Sequence, residues 1–142
     1  MDEVKGGGKL LFEITIQFRV DDFPEGRSWY ERLFQRKPDF EPHAGIAEWE
    51  MIPGSWLQLA QGTPIKGSGP LRLGVPDIER EKDRLIRELE VENFTVNTRD
   101  EVPVYWATFA DPWGNDLGLF EYKNKGDERE RVSVILGKEY IE

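Results

Sequence analysis

The sequence contains no cysteine, which excludes disulfides, thiolate metal sites and thiol nucleophiles. A single histidine, His43, gives a hydrolytic triad thin support, and its place beside Pro42 reads as a loop or strand edge. No apolar run approaches the roughly 18 residues that a membrane-spanning helix needs. The N-terminal MDEVKGGGK is charged and glycine-rich, without the apolar centre of a signal peptide. A basic stripe interleaved with aromatics is also missing, and a formal net charge of −9 argues against a general polyanion binder. These absences lead to the expectation of a cytoplasmic protein with neither a nucleic acid nor a membrane as partner. Three short stretches carry no chemistry. GGGKLL lacks the spacing and the Ser/Thr of a phosphate loop. KGSGP around Ser68 is no nucleophile elbow. The Asn93-Phe94-Thr95 sequon means little in a protein expected to stay in the cytoplasm.

What is present suits one soluble globular domain. The 142 residues, 38% hydrophobic and 33% charged, can bury a real core. LFEITIQFRV, Leu11 to Val20, alternates: Ile14, Ile16, Phe18 and Val20 share one face, and Thr15, Gln17 and Arg19 the other, the pattern of a half-buried strand. Asp22 then caps a helix, with Glu25 three residues on and Pro24 in the first turn. Phe23, Tyr30, Leu33 and Phe34 form its apolar stripe, and it ends before Pro38.

The same order returns. Val75, Asp77, Ile78, Leu85 and Leu89 follow Val20, Asp22, Phe23, Tyr30 and Phe34 at a constant offset of 55 positions. GSWLQLA (Gly54 to Ala60) lies 60 positions before GNDLGLF (Gly114 to Phe120). Each half has room for two further strands, about 39–43 and 46–52, then 95–98 and 104–110. The chain therefore reads as a duplicated β-α-β-β-β unit. A flexible N-terminus (1–9) precedes a single domain (10–122) with modules 10–61 and 70–122, joined by the Gly/Pro-rich QGTPIKGSGP. In the charged tail, 123–142, Val132, Val134 and Leu136 alternate. That spacing suits an added strand or a segment docked on a partner, with a partly ordered tail as the alternative.

FRVDDFPEGRSWYERLF (Phe18 to Phe34), LRLGVPDIEREKDRLI (Leu71 to Ile86) and FADPWGNDLGLFEY (Phe109 to Tyr122), with Asp-Pro-x-Gly-Asn in the last hairpin, carry a resemblance. In this order and spacing the chain resembles the vicinal oxygen chelate superfamily of glyoxalases, extradiol dioxygenases and bleomycin resistance proteins, over about residues 10–122. The resemblance implies an α+β fold in which two βαβββ modules form a curled mixed sheet. Helices cover its convex side, and a ligand cup opens on the other. It also implies a homodimer, since such proteins commonly build or complete the cup across two chains.

The resemblance further implies a divalent metal with one His, Glu or Gln ligand from each of four strands. Those positions fall on Thr15, Gln58, Pro70 and Gly118. Only Gln58 could readily ligate; a slip of two would recruit Gln17, but the other strands supply nothing. Neither metal nor cofactor is expected. If Pro53-Gly54 closes a hairpin in which Leu57 and Leu59 share a face with Trp49 and Met51, then Glu48 and Glu50 lie beside Gln58. The second half would pair Trp106, Thr108 and Ala110 with Gly118 and Phe120. Arg19 and Arg72 could project the same way, Arg72 only through a bulge, and pairing of Arg72 with Glu48 or Glu50 is favoured over a clamp on a ligand carboxylate. The expected ligand-binding set is Gln17, Glu50, Trp56, Gln58, Arg72, Trp106, Thr108 and Phe120, with Gly118 leaving room at the floor. Trp49 and Phe109 are expected in the core; Trp113 is a rim contact, a dimer contact or turn packing. The leading expectation is a metal-independent small-molecule-binding protein of the glyoxalase/bleomycin-resistance type. The first alternative is an enzyme of the superfamily (a lyase, isomerase or dioxygenase-like protein) using Glu48 or Glu50 as base, or a non-standard metal site. The second is an interaction module without a functional pocket.

Overall fold

The computed structural model of the chain describes residues 11–136; the expected flexible segment 1–9 and the last residues of the tail lie outside them. The first module runs β1 (Ile14–Val20), α1 (Phe23–Phe34), β2 (Ile46–Ile52) and β3 (Ser55–Gln61). The second runs β4 (Leu71–Gly74), α2 (Ile78–Leu89), β5 (Val104–Ala110) and β6 (Asp116–Tyr122), and α3 (Lys125–Leu136) follows. Two three-stranded sheets result, ordered β1-β3-β2 and β4-β6-β5. In each, the first strand is parallel to the last and the middle strand of the module is antiparallel to it. The duplication therefore extends to hydrogen-bond topology, and the mixed sheet is not closed.

The helix ends repeat as well. Asp22 and Asp77, in extended conformation, accept from the backbone N–H three residues on, removing one unpaired donor from each first turn. Gln35 and Glu90, also 55 apart, end α1 and α2 in the left-handed region with φ of 59° and 58°. The two helix C-termini are laced together. Arg84 donates to the carbonyls of Arg32 and Leu33, and Arg32 donates to that of Glu88, so cations meet the carbonyl ends of both helix dipoles. Beneath the helices, Phe18, Trp49, Leu57, Leu59, Leu117 and Leu119 are buried. Trp49 Nε1 donates to the Arg36 carbonyl at 2.9 Å, so its burial strands no polar atom.

Three expectations need correction. The strands expected at 39–43 and 95–98 shrink to single bridges, Phe40 to Glu48 and Asn97 to Trp106; Pro42 and Pro103 lack the N–H that a longer ladder would use. Ile14 and Ile16 share the face of Phe18 but remain 58% and 38% exposed, because α1 roofs only the C-terminal half of β1. The tail is a helix, not a strand. Asn124 Oδ1 accepts the N–H groups of Gly126 and Asp127 at its start, and Lys125 pairs with Glu121 and Glu128. Glu128, Arg131, Val132 and Ile135, spaced i, i+3, i+4 and i+7, face one cavity, which is the period of a helix. Trp113 packs half-buried against the core, with its backbone N–H donating to Asp111 Oδ1, and it also lines the larger of two cavities.

The modules are fastened to each other at the Asp111–Asn115 turn. Asp111 is 4% exposed and Asn115 fully buried. Asp111 Oδ1 accepts from the backbone N–H groups of Trp113 and Asn115, both at 2.9 Å. Its Oδ2 accepts from Asn115 Nδ2 at 2.8 Å and from the Tyr30 hydroxyl of α1 at 2.6 Å. Asn115 Nδ2 also donates to the Arg19 carbonyl of β1. Gly114, at φ +88°, allows the tight turn that aims these groups inward. Burial, then the neighbouring Asp111 charge and hydrogen bond, push the Tyr30 phenol well above its ordinary 10.0. Tyr30 thus stays a donor across the physiological range. Tyr30→Phe should cost about 1–3 kcal/mol, since Asp111 Oδ2 loses a buried donor, read as a lower urea midpoint. Because the phenol ionises more easily in the unfolded chain, its stabilising contribution is complete below pH 10.0 and declines above it. Tyr30→Phe should flatten that alkaline decline.

Candidate functional site

The faces turned away from the helices carry the chemistry, and cross-strand register arranges it in rows. In the first sheet Gln17, Gln58 and Glu48 stand side by side on β1, β3 and β2. They form a hydrogen-bonded line. Gln17 Nε2 donates to Gln58 Oε1 at 2.6 Å, and Gln58 Nε2 donates to Glu48 Oε2 at 2.7 Å. Arg19 Nε donates into the line at Gln17 Oε1, 3.1 Å away. A guanidinium thus feeds through two amides to a carboxylate, with each amide oxygen and each carboxylate partner oriented by its neighbour. Next along the sheet, Trp56 pairs with Thr15 and Glu50, and its indole N–H donates to Glu13. Glu50 Oε2 accepts the Gly54 N–H at 2.9 Å, which commits it to holding the hairpin turn.

The equivalent row of the second sheet is Arg72, Gly118 and Thr108 on β4, β6 and β5. The next row is Gly74, Phe120 and Trp106. Arg72 reaches this face by simple alternation with Leu71 and Leu73 in an unbroken register, so the bulge expected for it is absent. Nor does it pair with Glu48 or Glu50: among the described residues it has neither a carboxylate nor a hydrogen-bond partner. Gly118 does not leave an empty floor. A Cβ there would lie 2.8 Å from Arg72 Cγ, 2.9 Å from the Ala107 carbonyl oxygen and 3.4 Å from Arg72 Nε. The arginine stem fills the space and lies across the middle strand.

The expected site residues divide between the two faces. Gln17, Gln58, Glu48, Glu50 and Trp56 fall on the first; Arg72, Trp106, Thr108 and Phe120 fall on the second. Two cavities adjoin the second face. One of about 460 Å³ takes in Phe120, Gly74 and Tyr122 together with Met51 and Ile52 of the first module and the inward side of α3. A larger one of about 1220 Å³, bounded by α1, the connector, the segment after α2 and the Asp111–Gly114 turn, reaches Thr108. Sequence reasoning missed α3 as a wall because only its two-residue alternation was weighed. It missed Asp111 and Tyr30 as a joint because an apolar stripe accounted for the tyrosine ring and left its hydroxyl unassigned.

Register also sets the neighbours of Gln58 and Gly118, two of the positions to which the resemblance assigns metal ligands. The neighbour of Gln58 on β1 is Gln17, not Thr15, and that of Gly118 on β4 is Arg72, not Pro70. Two amides bonded to each other, a guanidinium and a glycine do not fit a divalent cation, which needs several anionic or unengaged oxygen or imidazole donors. Among the described residues no cluster of three or more His, Asp or Glu side chains could hold one. His43 is exposed in the loop before β2, with Nδ1 against the Ala44 carbonyl.

A duplicated βαβ-type module with an open, polar and aromatic sheet face defines a two-module cup protein. No protein-family model and no curated protein matches the sequence. Solved structures do match the fold. A glyoxalase/bleomycin resistance protein from Catenulispora acidiphila is similar at 25% identity and a TM-score of 0.64, over 78% of this chain and 97% of that one. A lactoylglutathione lyase from Agrobacterium tumefaciens matches at 16% identity and 0.58, over 77% and 91%. The fosfomycin resistance protein FosX from Mesorhizobium loti matches at 13% and 0.57, over 81% and 95%. The chain thus has the fold of the glyoxalase/bleomycin resistance protein and the other solved structures it matches. No helix among its described residues is long and apolar enough to cross a membrane.

Gly118→Ala should lower stability by about 1–3 kcal/mol, the usual cost of overpacking, because Arg72 can swing away but the Ala107 carbonyl belongs to the ladder. A chemical-denaturation series on the purified variant measures it.

Proposed function

We propose that this protein binds a small organic molecule on the open sheet face without a bound metal and acts in the cytoplasm. One observation carries the reading. The rows that would host the metal instead hold amides and a guanidinium, while Trp56, Trp106 and Phe120 stand beside them, half-buried on the same faces. Aromatic surface with a few fixed polar groups is what retains a small planar ligand. Two of the structural relatives are named for small organic molecules, lactoylglutathione and fosfomycin, which supports the ligand class in its broadest sense.

In the same reading the protein is a homodimer. Ile14 and Ile16 on β1, with Ile52 at the neighbouring hairpin, leave apolar surface exposed at one end of the first sheet, and a second copy would cover it.

Native mass spectrometry of the purified protein tests these points together. The expected species is a dimer free of stoichiometric divalent ion; a tightly held metal overturns the metal-independent reading, and a monomer overturns the dimer. Indole added to the protein should quench tryptophan fluorescence saturably, and Trp106→Ala should weaken that binding about tenfold, the range of one lost aromatic contact. Unchanged binding in Trp106→Ala would remove the second sheet face from the site.

A further inference from the structure

We infer that the Arg72–Gly118–Thr108 row is a subsite for the anionic group of the ligand, so that the molecules bound are aromatic carboxylates rather than neutral aromatics. This rests on the small-molecule reading above and specifies the ligand class within it.

The duplication supplies an internal comparison. The row Gln17–Gln58–Glu48 occupies the equivalent place in the first module. There, polar groups satisfy one another from strand to strand, ending on a carboxylate at 2.7 Å. The second row has the same three strand positions but no internal bonding. The carboxylate is replaced by the Thr108 hydroxyl and the central amide by Gly118, and the first amide is replaced by a guanidinium. Its charge has no counter-ion among the described residues. It stays so although acidic side chains are in excess, 28 Asp and Glu against 19 Lys and Arg. Arg27, Arg36, Arg84, Arg87 and Arg99 hold carboxylates; Arg19 and Arg32 hold none but donate to Gln17 and to the Glu88 carbonyl, whereas Arg72 has neither kind of partner among the described residues.

Gly118 makes the placement specific. Without a Cβ on β6, the Arg72 stem lies flat over the middle strand, with Nε 3.4 Å from the point a Cβ would occupy. The side chain extends from β4 toward β5, where Thr108 is the residue opposite Gly118 and is exposed. A planar fork of N–H donors in the same cross-strand row as a hydroxyl suits a carboxylate, which can accept from both. In the adjoining row the Phe120 ring lies over Gly74, 2.9 Å from where its Cβ would be, and Trp106 stands opposite Phe120. A ligand whose carboxylate sits in the first row therefore has its ring beside the aromatic pair of the second.

The test compares indole with indole-3-acetate by isothermal calorimetry on wild-type protein and three variants. The acid should bind about tenfold more tightly than indole, one charge-assisted contact. Arg72→Gln should abolish that preference. Thr108→Val should reduce it in part. Gln58→Leu, which breaks the first row, should leave it intact. If indole binds but the acid gains nothing, or if the gain survives Arg72→Gln, the anion subsite is wrong and the binding reading stands. A preference lost in Gln58→Leu and kept in Arg72→Gln would move the subsite to the first sheet and overturn the assignment. Should neither probe bind, the small-molecule reading itself fails and takes the subsite with it.

Discussion

The buried carboxylate of Asp111 is the point on which both halves of this molecule hang. Inside its own turn it collects two backbone N–H groups and the Asn115 amide, which fixes the β5–β6 hairpin. Its remaining interaction is with the Tyr30 hydroxyl from the other module, and Asn115 reaches on to the β1 backbone. A buried carboxylate is costly unless it is fully bonded. The hairpin can therefore be completed at low free energy only when α1 and β1 are in place. Local turn chemistry and assembly of the two modules become one condition. The laced helix C-termini hold the opposite side of the joint, through weaker arginine-to-carbonyl bonds at partly exposed positions.

Duplication sets two copies of one architecture side by side, and selection on each face then becomes visible as a difference between them. Helix bounds, caps and left-handed C-caps coincide, as do the positive-φ turn glycines Gly54 and Gly114. The core faces also match, Leu57 and Leu59 against Leu117 and Leu119. What differs is the open face. One row closes on itself through amides; its counterpart carries an arginine folded over a glycine. On β3 and β6 the buried leucines are kept while the outward-facing residues differ, which on those strands points to chemistry rather than packing.

Much of the fold was legible because its determinants are local. Asp22 and Asp77 announce helix starts, alternation announces β1, and the two repeated blocks announce the duplication. The misreadings share a physical cause, since each depended on what lies beside a segment rather than within it. Ile14 and Ile16 alternate correctly, but no sequence rule says how far α1 extends over them. The segments 39–43 and 95–98 have strand-like composition, yet only one residue pair of each meets a neighbour. Val132, Val134 and Leu136 satisfy a two-residue period, while Glu128, Arg131, Val132 and Ile135 satisfy the helical one, and the Asn124 cap decides between them. At the site, membership of the open face followed from alternation alone. The pairing of Gln17 with Gln58, and the freedom of Arg72 from Glu48 and Glu50, required the register between strands.

The register also turns an apparent deficiency into a consistent electrostatic design. Seen one strand at a time, the family's ligand positions look merely lost: threonine, proline, glycine and a lone glutamine. Across strands they become Gln17 beside Gln58 and Arg72 over Gly118. A metal site concentrates positive charge on an ion that its own ligands largely neutralise. A guanidinium placed on the same floor offers a fixed positive charge with directional donors, and among the described residues no anionic side chain pairs with it. Gly118 serves both descriptions, since the residue whose lack of a side chain removes a ligand also lets the arginine lie down. The two rows thus differ only in their outward-facing side chains, on strands paired in the same way.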